Sequence, residues 1–313
     1  MIMEFLITLK RLFTQKSLAY NPTMLAIETS CLCNNSCFFC WRSQKPQELK
    51  ALIKKYASSP KLSFDVYKKI IDDAIQYKSL TWLALCACMG EPMMHEKLED
   101  MCEYAYKKNH FKKISINTNG LAIDKHDISR LLNSIQDFSI SVDSIDPETY
   151  GKIHGNSEFL PKVIENIKKC VEYKKQHGAV STITVRFTEN EHNIGQYPEF
   201  KKFFTELGVD NINYTKVHSF AGVKAELVDK KKAAFCWHPY RAINFTFSGD
   251  LTTCCLNYMM SPVFGNIKNS TIKELWMNDG MKKWLKDRLK NPPCNNCDGL
   301  SKQSQQEGLV YEK

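Results

Sequence analysis

From residue 24 to 217, short β-rich apolar runs alternate with longer stretches in which apolar positions recur every three or four residues. The runs MLAIET (24–29), TWLALC (81–86), KISIN (113–117), DFSISV (137–142), STITVRF (181–187) and NINYTKV (211–217) predict six strands. Helical patterns lie between them, such as FDVYKKIIDDAI after Ser63 and SEFLPKVIENIKKCVEYKK after Asn156. Such alternation implies a parallel sheet covered by helices. Six units fall short of a closed eight-stranded barrel, so the expected fold is α/β, a partial (β/α)6 barrel.

Beyond residue 217 the pattern changes. AINFTFSGDLTTCC reads as a hairpin turning at Ser248-Gly249-Asp250. STIKELWMNDGMKKWLKDRL reads as one or two short helices opening at Ser270 as N-cap, and NPPCNNCDG as a rigid cysteine loop. The expected organisation is an N-terminal amphipathic helix over 1–23, the barrel over 24–217 and a linker over 218–235. A small C-terminal β-hairpin/helix domain follows over 236–299, then a polar tail over 300–313. Ile2, Phe5, Leu6, Leu9 and Phe13 share one face of the first helix, which suits a cover for the barrel or a membrane-surface anchor.

Composition narrows the class. With 43% apolar and 25% charged residues the chain is neither disordered nor fibrous. No apolar run reaches the roughly 18 residues of a transmembrane helix, and the opening lacks a signal-peptide cleavage site. A cytoplasmic location is therefore expected. The net charge of +9 is scattered over helical stretches such as KKCVEYKKQ, which reads as solvated faces, and no nucleic-acid partner is expected.

Thirteen cysteines without an export signal call for metal rather than disulfides. Cys33, Cys37 and Cys40 form C-x3-C-x2-C directly after the first strand. Three thiolates on one loop suit three irons of a 4Fe–4S cube and leave the fourth iron open. With Cys31 as a fourth ligand, the alternative is a structural zinc site.

The stretch IETSCLCNNSCFFCWR resembles the cluster loop of the radical S-adenosylmethionine (SAM) superfamily, including the aromatic Phe39 before the last cysteine. The resemblance extends to MGEP (89–92), similar to a Gly-Gly-Glu-Pro turn that binds the SAM ammonium, with Met89 in place of the first glycine. It implies SAM contacts for Phe39, Gly90 and Glu91. It implies the same for Asn117 in NTNG, and for Ser141 and Asp143 in SVDSIDPETY. Arg186 is a candidate catalytic residue, facing the SAM carboxylate or the substrate. Also implied are reductive SAM cleavage to a 5′-deoxyadenosyl radical, and an electron donor such as flavodoxin or ferredoxin.

Cys236-x12-Gly249-x4-Cys254, followed by Cys294-x2-Cys297, resembles the auxiliary-cluster domain of such enzymes in its shortened, twitch form. The full SPASM continuation of cysteines is absent after Cys297, which implies one auxiliary 4Fe–4S cluster held by Cys236, Cys254, Cys294 and Cys297. A four-cysteine zinc site is the alternative on spacing alone. Only about 23 residues precede the first strand, too few for a packed leader-peptide module. The expected substrate is therefore a small polar molecule (a sugar, aminocyclitol or saccharide conjugate) and the expected outcome oxidation. Epimerisation and peptide maturation are the alternatives, and a non-catalytic cluster or zinc module is a second. Cys255 is the candidate hydrogen donor that would mark an epimerase; otherwise it is a small buried apolar residue.

Overall fold

A computed structural model describes residues 21–86, 89–228 and 236–297. The expected N-terminal helix, save residues 21–23, and the expected polar tail lie outside them, as do residues 229–235 of the expected linker. The strands are β1 (Met24–Glu28), β2 (Trp82–Cys86), β3 (Lys113–Thr118), β4 (Asp137–Ser141), β5 (Thr182–Glu189), β6 (Asn211–Lys216), β7 (Ala242–Phe245) and β8 (Leu251–Thr252). The helices used below are α1 (Trp41–Gln44), α2 (Pro46–Lys55), α3 (Phe64–Ala74), α4 (Leu98–Lys107), α5 (Ile128–Ser134) and α6 (Pro147–His154). They continue with α7 (Phe159–His177), α8 (Tyr197–Leu207), α9 (His238–Arg241), α10 (Ile272–Leu275) and α11 (Asp279–Lys286).

One eight-stranded sheet runs in the order β6-β5-β4-β3-β2-β1-β7-β8. Strands β1 to β6 are parallel and lie in sequence order, and the sheet ends at β6 and β8 without closing, as the (β/α)6 expectation required. The hairpin does more than expected. β8 pairs antiparallel with β7, while β7 pairs parallel with β1, from Met24↔Ala242 to Ile27↔Phe245.

Alternation sets the two faces of the sheet. Leu25, Ile27, Leu83, Leu85, Ile114 and Ile116 point into the helix-covered core at 0% exposure. The other face carries Ala26, Ala84, Ser115, Ser139 and Thr184, all small. Helix α3 shows how the core is built: Ser63 caps it by accepting the Val66 N–H, and Tyr67, Ile70, Ile71 and Ala74 are buried along one stripe. The same helix receives the C-terminal unit, because Asp73 accepts the backbone N–H of Ile272 at 3.1 Å.

The segment after residue 270 forms two helices, α10 and α11. Its cap is Thr271, not Ser270: Thr271 Oγ1 accepts the Glu274 N–H while the Glu274 carboxylate accepts the Thr271 N–H. A reciprocal capping box outcompetes a serine whose partner three residues on is Lys273.

Candidate functional site

Cys33, Cys37 and Cys40 sit on the loop between β1 and α1, all partly exposed. Burial pushes the Cys33 thiol up to about 12 and the Cys40 thiol up to about 11. Thiols so placed are poor free anions, and a cationic iron core offsets that cost when they ligate. Cys31, the alternative fourth ligand, is buried beneath the loop at 1% exposure. Its N–H is bonded to the Pro60 carbonyl and its own carbonyl is held by Arg42. Phe39 packs edge-on to Phe38 and stacks on Phe220 at 6.0 Å.

The turn after β2 is locked onto this loop. Arg42 Nη1 donates to the carbonyls of both Cys31 (2.9 Å) and Met89 (2.5 Å). The Glu91 N–H donates to the Leu32 carbonyl at 2.6 Å. A Cβ on Gly90 would lie 2.5 Å from the carbonyl oxygens of both Ser30 and Leu32, so the glycine's close approach is to the cysteine loop itself. Glu91 is 5% exposed, and its carboxylate accepts from Met93 N, Thr118 Oγ1 and Asn119 N. It braces the β2 turn against the β3 turn, whereas the family resemblance had it facing SAM. Asn119 extends the brace by donating to Asn34 Oδ1 at 2.7 Å.

Asn117 and Ser141, near the carboxyl ends of β3 and β4, and Arg186, midway along β5, lie on the small-residue face, with Ser141 and Arg186 paired in register. The Arg186 side chain has no hydrogen-bond or ion-pair partner among the described residues, and its charge helps burial hold nearby His218 down at about 4. Asp143 differs from the expectation. It is 1% exposed at φ 62°, and its carboxylate is taken up by Thr188 N (2.6 Å) and His154 Nε2 (3.3 Å). The residue sits past the end of β4, where the chain turns back into the core, so its oxygens serve the protein rather than the open face.

In the C-terminal unit, Cys236, Cys254, Cys294 and Cys297 gather from α9's approach, β8's exit and the last loop. Burial, then the neighbouring Cys255, Cys294, Cys236 and Cys297, push the Cys254 thiol well above its ordinary value. Burial raises Cys294 to about 11. No three His, Cys, Asp or Glu side chains among the described residues converge on one ion position; a cube takes one thiolate per iron, each at its own corner. Beside them lies a small cavity shared by Glu28, Met89, Asn244, Cys254, Cys255 and Asn257. The Oδ1 atoms of Asn244 and Asn257 are buried there without a partner among the described residues. Cys255 Sγ lies 3.1 Å from Nε2 of buried His238, whose titration is held down at about 4 by burial and by Arg241. Cys102 and Cys170 are fully buried within the apolar core.

A loop joins the two cysteine groups. Phe220, Ala221 and Gly222 all have positive φ, and a Cβ on Gly222 would lie 2.1 Å from the carbonyl oxygen of Asn296, between Cys294 and Cys297. On the other side of this loop, Phe220 stacks on Phe39 and Lys224 sits 5.1 Å over the Phe38 ring. Arg42, His154 and Gly222 were not singled out from the sequence. Arg42 follows the last cysteine of the motif and so carried a signal. The other two depend on contacts between segments far apart in the chain.

Three soft thiols on one tight loop, with the buried Tyr150 hydroxyl beside Cys37, fit a cluster with an open iron. Residues 27–200 match the family described as the Radical SAM superfamily, and the chain belongs to it. Residues 236–298 match SPASM, the iron-sulfur cluster-binding domain, and the cofactors are 4Fe–4S clusters and SAM.

Among known proteins, the chain is 24% identical over 176 residues to a probable GTP 3',8-cyclase of Methanococcus maripaludis, covering 56% of this chain and 53% of the relative. It thus spans about half the length of that curated relative. In fold it resembles the crystal structure of BtrN in complex with AdoMet and 2-DOIA (TM-score 0.55, 17% identity, 91% of this chain and 96% of the other). It also resembles Streptococcus suis SuiB bound to precursor peptide SuiA (TM-score 0.64, 16% identity, 92% and 73%). No helix among the described residues is long and apolar enough to cross a membrane.

Proposed function

We propose that this chain is a radical SAM oxidoreductase acting on a small polar substrate, such as a sugar, aminocyclitol or saccharide conjugate. Cys33, Cys37 and Cys40 would hold the SAM-site cluster, and Cys236, Cys254, Cys294 and Cys297 the single auxiliary cluster of a twitch-like domain. When bound, the first cluster supplies reductive cleavage of SAM and hence hydrogen-atom abstraction, fed by a flavodoxin- or ferredoxin-type donor.

The observation that carries the substrate class is the inner face of the sheet. Asn117, Ser139, Ser141 and Thr184 place short hydrogen-bonding groups there, while the Ser115 hydroxyl is taken up by Trp82 Nε1, and Arg186 offers the one guanidinium on this face without a partner among the described residues. A face of small hydroxyls and amides suits a compact polyhydroxy molecule better than an apolar side chain. Phe39 and the backbone of the Met89–Glu91 turn would border SAM. Oxidation is favoured over epimerisation because the Cys255 sulfur is engaged with His238.

The test is anaerobic reconstitution with dithionite and SAM, scoring 5′-deoxyadenosine with three substrate panels: aminocyclitols and sugars, GTP (after the relatives' name), and peptides. Substrate-dependent product from the first panel alone is the expected result. Turnover of GTP or peptide only would replace this reading. Run in deuterated water, an oxidation leaves no solvent deuterium at the reacting carbon; deuterium there, with loss of activity in Cys255→Ala, would make Cys255 the hydrogen donor.

A further inference from the structure

The end of α6 is docked on the loop that carries the first three cysteines. A helix leaves its last carbonyls without intrahelical partners. Here the Ile153 carbonyl accepts the Phe38 N–H at 2.9 Å, and the His154 carbonyl accepts the Ser36 N–H at 3.3 Å. Gly155 ends the helix at φ 94°, and a Cβ added to it would stand 3.1 Å from Ser36 Cβ, so loop and helix end are in direct contact.

The His154 side chain completes this joint. Its Nδ1 lies 3.2 Å from Cys37 Sγ. Its Nε2 lies 3.0 Å from the Val142 carbonyl oxygen and 3.3 Å from Asp143 Oδ2. The ring is 2% exposed and packs on Tyr150 at a centroid distance of 4.4 Å. Asp143 is fixed in turn by accepting the Thr188 N–H. One edge of the imidazole therefore faces two acceptors at the end of β4 and carries a proton there, and the other edge meets a single sulfur, so a hydrogen bond to that sulfur as a ligating thiolate takes a second proton on Nδ1, opposite the Asp143 carboxylate. Among the described residues, Cys37 is the one cysteine of the three whose sulfur meets a side-chain hydrogen-bond partner.

We propose that His154 is a positioning residue for Cys37, hydrogen-bonding its sulfur when the SAM-site cluster is bound and thereby holding that ligand's rotamer and raising the cluster's reduction potential. The inference rests on Cys37 being a ligand of that cluster and is independent of the substrate reading. Hydrogen bonds to ligand sulfurs are among the factors that set iron–sulfur potentials, because they stabilise the more negative, reduced cluster. Outer-shell partners also fix ligand orientation, and their loss commonly costs about 10–100-fold in metal affinity.

The experiment compares reconstituted wild type, His154→Leu and His154→Gln with SAM absent. It reads iron content, then the midpoint potential and the electron paramagnetic resonance signal of the reduced SAM-site cluster. The Leu variant is expected to take up iron, lose it to a chelator at least several-fold faster, and reduce only at a more negative potential. The Gln variant, which keeps an N–H donor, recovers part of both. An iron-loaded Leu variant with unchanged potential and chelator resistance would overturn the proposal. Wild-type protein labelled with nitrogen-15 histidine provides a check that no folding defect can obscure. Pulsed resonance on the reduced cluster should show a weak coupling to one histidine nitrogen, and its absence would also overturn the proposal. Iron content reports separately on whether the cysteine assignment itself is right.

Discussion

Gly90→Ala tests whether the turn after β2 is shaped by the cysteine loop. The glycine has no positive φ to defend; the constraint is steric. The new methyl carbon would lie 2.5 Å from two backbone carbonyl oxygens and 2.8 Å from the Cys31 carbonyl carbon. Ordinary contact needs about 3.5 Å, so the loop or the turn must retreat by roughly 1 Å. Neither can do so freely, since the Glu91 N–H and Arg42 tie both sides together. Overpacking of this kind costs about 1–3 kcal/mol. At about 2–4 °C per kcal/mol, the Tm of the reconstituted protein should fall by roughly 2–12 °C. A 1 Å displacement of a reacting group can cost about 100-fold in rate, so SAM cleavage should drop by about that factor. The assays are calorimetry, iron content and 5′-deoxyadenosine formation. A variant with wild-type Tm and full iron that loses only SAM affinity would refute the steric reasoning and put the glycine's role at SAM.

Replacing Cys33, Cys37 and Cys40 together with Ala should halve iron from about 8 to about 4 per chain and abolish SAM cleavage, as read by iron analysis and chromatography. Cys294→Ala with Cys297→Ala should lower soluble yield and turnover while SAM cleavage partly survives, because closing that site couples distant segments to folding. Gly222→Ala should displace Asn296 and speed loss of the auxiliary cluster to a chelator, with the SAM-site signal retained; an unchanged rate of loss would show that the loop yields.

Much of the barrel was readable because each strand is a short β-rich run closed by polar residues, and because Ser63 announces α3. The cysteine loops were readable because ligand spacing within one loop is local. What escaped depended on where a side chain turns after its strand ends. Glu91 and Asp143 stand at positions that resemble SAM contacts, yet both carboxylates are used internally by groups from neighbouring turns. Cys37 and His154 are 117 residues apart, and only the docking of α6 brings them together. The Thr271 cap shows the same limit at short range: serine is by itself the better cap residue than threonine, and Glu274 decides for Thr271.

The pairing of β7 with β1 has a consequence for how the chain is made. Met24 finds its partner Ala242 only after more than two hundred further residues have been synthesised. Until then one edge of β1, the strand that leads into the first cysteine loop, has its backbone donors and acceptors unpaired. Such a long-range parallel contact forms late and slowly. The nascent protein therefore passes through a stage in which six strands can assemble while an open apolar edge waits for the C-terminal quarter, a stage vulnerable to association with other chains. A fragment ending after β6 would be frozen at that stage, and co-expressing the remaining segment should rescue its solubility by supplying the missing strand.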